Sequence, residues 1–166
     1  QPSSAKRISR LRSRLPGVSN DMPDPRPLLI VLDTNVLVSA LLKRASKPGL
    51  ILDLVLGGKI RRALDARMLQ EYQEVCARPK FGIRQSDAAA VLAYLQVTGL
   101  RVDAAGSLPD MPQMSDPGDQ PFAEVAVAAQ VDALVTGNIR HFGELDRAGV
   151  YVQTPAQFLE FYASCA

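Results

Sequence analysis

LLIVLDTNVLVSALL, residues 28–42, is an apolar run that breaks on Asp33-Thr34-Asn35 and then resumes at helical spacing. Leu28 to Leu32 is short, uninterrupted and rich in leucine and β-branched residues, the composition of a parallel strand covered on both faces. Val36, Leu37, Ala40 and Leu41 form the apolar stripe of a following helix. Asp33 therefore falls at the carboxyl edge of a sheet, where open α/β folds bind ligands and where helices begin with unpaired amides. A carboxylate there is equally suited to capping the helix. The rest of the chain has to separate the two roles.

Outward from this stretch the chain alternates helical patterns with short apolar runs, the pattern of a layered α/β domain. Pro48 to Gly57 reads as a helix, Ile60 to Leu64 as a second strand, and residues 66–77 as a helix with Met68, Leu69, Tyr72 and Val75 on one side. Ser86 and Asp87 open a further helix that runs to Gly99, and Leu100 to Ala104 reads as a third strand. The stretch from Ala105 to Pro121 holds four prolines and two glycines and has no apolar periodicity. A loop of that length inside a compact domain is usually functional or mobile. Asp119 precedes a helix striped by Phe122, Val125, Ala126 and Ala129; Ala133 to Thr136 is a fourth strand and Val150 to Val152 a fifth, ahead of a helix from Pro155. The expected architecture is a three-layer α/β/α sandwich around a mainly parallel sheet of four to five strands. It forms one domain over 27–166, without internal repeats, behind a basic arm over 1–26.

Composition is consistent with that core. The chain has 166 residues, 47% of them hydrophobic, with mean hydropathy near zero, enough for one soluble domain. Residues 1–20 contain Lys6, Arg7, Arg10, Arg12 and Arg14 and no acid, which leaves 14 bases against 17 acids in the other 146 residues. The basicity is in the arm. Ala5, Ile8, Leu11 and Leu15 have helical spacing, yet so short a helix is marginal alone. A disordered extension, with Met22 as an alternative start, is favoured over contact of the arm with RNA. It lacks the apolar core of a signal peptide, and residues 28–42 are too short and too polar to span a membrane. Cys76 and Cys165 have no metal-ligand spacing, which points to a reduced, cytoplasmic setting. A single histidine, His141, excludes a His-rich zinc centre within one chain.

Topology also places the other polar residues. Asn138 follows the fourth strand as Asp33 follows the first, so both lie on one sheet edge. Asp119 opens the helix that feeds that fourth strand. Glu71 sits beside the apolar stripe of its helix, facing either the sheet edge or water. His141, three residues beyond Asn138, is within reach of a phosphate, but packing or the surface is its favoured role. Glu124 points to a different helix face from Asp119, and Asp116 is the better of the two as an auxiliary acid. A phosphatase that uses Asp as nucleophile needs a second Asp where this chain has Asn35, and Gly57-Gly58-Lys59 lacks the spacing of a phosphate-binding loop.

DTNVLVSALL, EYQEVCARPKF and SDPGDQPFAEVAVAAQVDALVTGNIRHF, in that order, resemble the PIN domain. The resemblance runs over roughly residues 28–158 and is strongest to the toxins of toxin-antitoxin pairs. It implies a single-stranded-RNA ribonuclease whose acidic cluster holds Mg2+ or Mn2+. Matched by motif, the acids are Asp33, Glu71 and Asp119, with Asn35 and Thr136 supporting the first and Asp116 as auxiliary. The fourth acid position is Asn138 here, which keeps an oxygen and loses a charge. Arg140 is the expected contact to an RNA phosphate. The resemblance further implies a small antitoxin over the acidic crevice and a homodimer. The alternative is a PIN fold kept for binding RNA or a partner, with catalysis weakened or lost at Asn138. Hard Mg2+ takes oxygen ligands and keeps several waters, so a few converging carboxylates suffice to hold it. The reaction expected is hydrolysis by water, without a covalent enzyme intermediate.

Overall fold

The computed structural model describes residues 26–104 and 108–165. The arm expected over 1–26 lies outside the described residues except for Arg26, as do residues 105–107. In chain order the elements are β1 (Leu29–Leu32), α1 (Thr34–Leu42), α2 (Lys47–Leu56), β2 (Arg61–Leu64), α3 (Ala66–Cys76), a 3-10 turn (Pro79–Phe81) and α4 (Gln85–Thr98). There follow β3 (Leu100–Arg101), α5 (Gln120–Ala128), β4 (Ala133–Val135), a 3-10 segment (Ile139–Asp146), β5 (Val152–Gln153) and α6 (Pro155–Cys165).

The strands form one sheet in the order β3-β2-β1-β4-β5, and every neighbouring pair is parallel. Successive side chains of a strand point to opposite faces. Ile30, Val31 and Leu32 are all buried, as are Ala133, Leu134 and Val135, so helices cover both faces of the central strands. This is the expected α/β/α sandwich. The chain leaves β1 toward β2 and β3, then returns to β4 on the other side of β1 and leaves again toward β5. The carboxyl ends of β1 and β4 are thus adjacent while their outgoing connections diverge, which opens a crevice between them.

Local chemistry sets the helices. Asp65 caps α3 by accepting from the Met68 amide at 3.0 Å, and Ser46 caps α2 by accepting from Gly49 at 3.2 Å. Gly49 also permits the tight corner between α1 and α2, because a Cβ there would lie 1.9 Å from the Arg44 carbonyl oxygen. Arg62 on β2 is buried and donates to the carbonyls of Tyr94 and Leu95 and to the Thr98 hydroxyl. It places a cation at the carboxyl end of α4, where the helix dipole favours one.

Several boundaries differ from the sequence reading. β3 pairs over two residues instead of five: Val102 still donates to the Leu64 carbonyl at 3.0 Å, after which the chain leaves the sheet. β5 starts at Val152 because its register is set by pairing with Leu134 and Val135. Val150 is buried before the strand, with its amide closing a turn on Leu145 at 3.2 Å. Cys76 is a buried free thiol, and among the described residues no helix is long and apolar enough to cross a membrane.

Candidate functional site

Register brings the first two site residues together. Leu32 pairs with Val135, and the Asp33 amide extends the ladder by donating to the Val135 carbonyl at 2.9 Å. Asp33 consequently stands beside Thr136, which is fully buried. One carboxylate oxygen of Asp33 accepts from the Thr34 amide at 2.8 Å, and the other accepts from the Thr136 hydroxyl at 2.7 Å. Asp33 is therefore both a helix cap and a carboxylate at the crevice. Thr136 in turn accepts from the Asn138 amide at 3.0 Å, and Asn35 accepts from the Gly137 amide at 3.2 Å. These bonds tie the ends of β1 and β4 to one another.

Glu71 is delivered by α3, which Tyr72 anchors. The buried Tyr72 hydroxyl donates to the Leu32 carbonyl at 2.5 Å, and its ring meets Phe122 of α5 edge-on at 6.0 Å. This answers the question of which way Glu71 faces. It is half-buried beside Thr34, close enough to Asp33, Asp119 and Asp116 to feel their charges. Asp119 stands at the start of α5 without capping it, so its carboxylate is left for the crevice. Gln120 holds the preceding loop against α5 by accepting from the Met114 amide at 2.7 Å and donating to the Pro112 carbonyl at 3.2 Å. Asp116, at the end of that loop, accepts from the Gly118 amide at 2.8 Å and lies near Asp119.

His141 is the residue that sequence reasoning assigned to packing or the surface. It is partly exposed, but its Nδ1 lies 3.1 Å from Asp119 Oδ2 and its Nε2 lies 3.3 Å from Asn138 Nδ2. Among the described residues, the carboxylate and imidazole donors that close to within 4.8 Å of one another are those of Asp116, Asp119 and His141. Asp33 and Glu71 lie beside that triplet without joining it at this spacing. Its signal in the sequence was position, three residues after the Asn138 edge. Arg140 is exposed on the 3-10 segment. Glu124 does not enter the centre: it pairs with Arg67 at 2.8 Å, and Arg67 also pairs with Asp65.

The electrostatics of the crevice are those of crowded acids. Burial pushes the Asp33 carboxyl above its ordinary range, and the Asp119 charge adds to this against the hydrogen bonds from Thr136 and Thr34. Burial likewise raises Glu71, with Asp33, Asp119 and Asp116 contributing, and it raises Asp119, with Asp116 contributing and His141 opposing. Desolvation and like charge both disfavour the ionised forms. The buried Thr34 hydroxyl faces the Glu71 carboxyl and opposes its rise. Oxygen donors that repel one another and one imidazole are a donor set suited to a divalent cation.

The family model described as PIN domain matches residues 29–140, about two thirds of the chain. Among solved structures, the chain is similar to one from "VapBC2 from Rickettsia felis bound to a DNA fragment from their promoter". The TM-score is 0.51 at 19% identity, and the match covers 76% of this chain and 98% of that one. No curated protein matches. The matched span begins in β1 and ends just past Asn138, so it takes in the whole β1/β4 crevice and the acids around it, and the chain belongs to the PIN-domain family.

Proposed function

We propose that this protein is a divalent-cation-dependent ribonuclease that hydrolyses single-stranded RNA and acts as the toxin of a toxin-antitoxin pair. The observation that carries the reading is the gathering of Asp33, Glu71, Asp119 and Asp116 at one crevice, where burial and mutual charge raise the first three. Asp33, Glu71 and Asp119 would hold Mg2+ or Mn2+, with Asp116 as a further oxygen donor. The cation, when bound, neutralises phosphodiester charge and makes water a better nucleophile. Thr136 and Asn35 keep Asp33 in place, Asn138 offers a neutral amide at the crevice, and exposed Arg140 contacts a flanking phosphate.

The pairing with an antitoxin is supported by the fold shared with a chain of the VapBC2 complex. The antitoxin would cover the acidic crevice, in a cytoplasmic homodimer of this chain. A PIN fold kept for binding is the reading that Asn138 favours, since the fourth acid is missing. The test is incubation of the purified protein with a panel of single-stranded RNAs in Mg2+ or Mn2+, beside EDTA and Asp33→Asn controls. Cleavage that either control abolishes supports the nuclease. RNA bound intact, with Asn138→Asp also inactive, supports the binding module.

A further inference from the structure

We infer that His141 replaces the missing fourth acid as a nitrogen ligand, so that the centre selects Mn2+ over Mg2+. The inference rests on the metal-centre reading above. Asn138 immediately precedes the segment Ile139–Asp146, and its carbonyl accepts from the His141 amide at 3.1 Å. The turn thus brings the imidazole to the position where the family resemblance has its fourth carboxylate, with Nε2 3.3 Å from Asn138 Nδ2. From there Nδ1 reaches Asp119 Oδ2 at 3.1 Å.

The hydrogen bonds describe the imidazole in the absence of a cation. The Asn138 amide N–H donates to Nε2, so Nδ1 carries the proton shared with Asp119. That proton occupies a point faced by the imidazole and by the carboxylates of Asp119 and Asp116. A cation in its place takes one nitrogen and two oxygen donors from groups already within 4.8 Å of one another, once the ring proton has moved to Nε2 and the Asn138 side chain has turned its amide oxygen to accept it. Ligands about 2.1 Å from one cation stand about 3 to 4.2 Å apart, so only a small contraction is needed. Mg2+ prefers oxygen and retains its water, whereas imidazole favours cations of the first transition series. Asn138 in place of a carboxylate moves the preference the same way, because it withdraws a hard anionic oxygen.

His141 is the one histidine of the chain, which makes a spectroscopic test unambiguous. Mn2+ is added to the full-length protein, and pulsed electron paramagnetic resonance reads 14N coupling to the ion. The expected result is a histidine-type coupling in the wild type that disappears in His141→Ala, with the Mn2+-to-Mg2+ affinity ratio falling about tenfold in that variant. Asn138→Asp should lower the ratio as well, by strengthening Mg2+ binding. Bound Mn2+ without histidine coupling in the wild type overturns the inference and leaves a carboxylate centre standing. Absence of bound Mn2+ overturns both.

Discussion

Asp33 shows how one side chain serves structure and chemistry together. Its two oxygens already accept from Thr34 and Thr136, yet burial and neighbouring acids make its charge unfavourable without a cation. Asp33→Asn should therefore lower cleavage by about 10^2-fold or more while changing metal-free stability by under about 1 kcal/mol, read by single-turnover kinetics and thermal unfolding. The amide can still accept from Thr34 and can donate to Thr136. Asp33 and Asp119 were legible because each follows or precedes an apolar segment whose type is plain from its spacing. His141 was not legible: its approach to Asp119 depends on a 3-10 turn after Asn138, and such turns have no apolar periodicity to announce them.

The elements place the acids through a few cross-connections. Tyr72 is the clearest, bonding α3 to the end of β1 and packing on Phe122 of α5. Tyr72→Phe keeps the ring and removes the hydroxyl, which should cost about 1–2 kcal/mol in denaturant unfolding. Glu71 is the preceding residue, so Mn2+ affinity should also fall in a calorimetric titration. If affinity is unchanged, Glu71 is positioned by something other than this bond. Gln120 plays the matching part for the loop, and Gln120→Ala should weaken Mn2+ binding through Asp116 with little loss of global stability. Long periodic helices such as α3 were readable to within a residue or two. The short outer strands were not, because β3 and β5 are defined by pairing with Leu64 and Val135 and not by their own composition.

At the scale of the whole molecule, strand order determines where the chemistry sits. Within the order β3-β2-β1-β4-β5, it is the pairing of β1 with β4 that brings Asp33 and Thr136 side by side. Parallel strands and α/β layering were visible in the sequence, but strand order was not, since apolar runs do not say which strands are neighbours. The fold also carries a pH signature. Asp33, Glu71 and Asp119 all have folded-state pKa values above their ordinary ones, so between the two values the native state holds more protons than the unfolded chain. Stability then falls as pH rises through that window. Metal-free protein should melt lower at pH 7 than in the mildly acidic range, the slope should flatten in Asp33→Asn, and Mn2+ should raise the melting temperature more at pH 7 than at acidic pH. A melting temperature that rises with pH in EDTA would contradict the assignment. The central claim, hydrolysis of RNA by water at a carboxylate-held cation, is tested most directly by cleavage in 18O-enriched water with Mn2+, read by mass spectrometry of the product ends. The account predicts a terminal phosphate bearing one solvent oxygen, opposite a free hydroxyl, and no product in EDTA. Cyclic 2′,3′-phosphate ends, or product that forms equally well without metal, would contradict it.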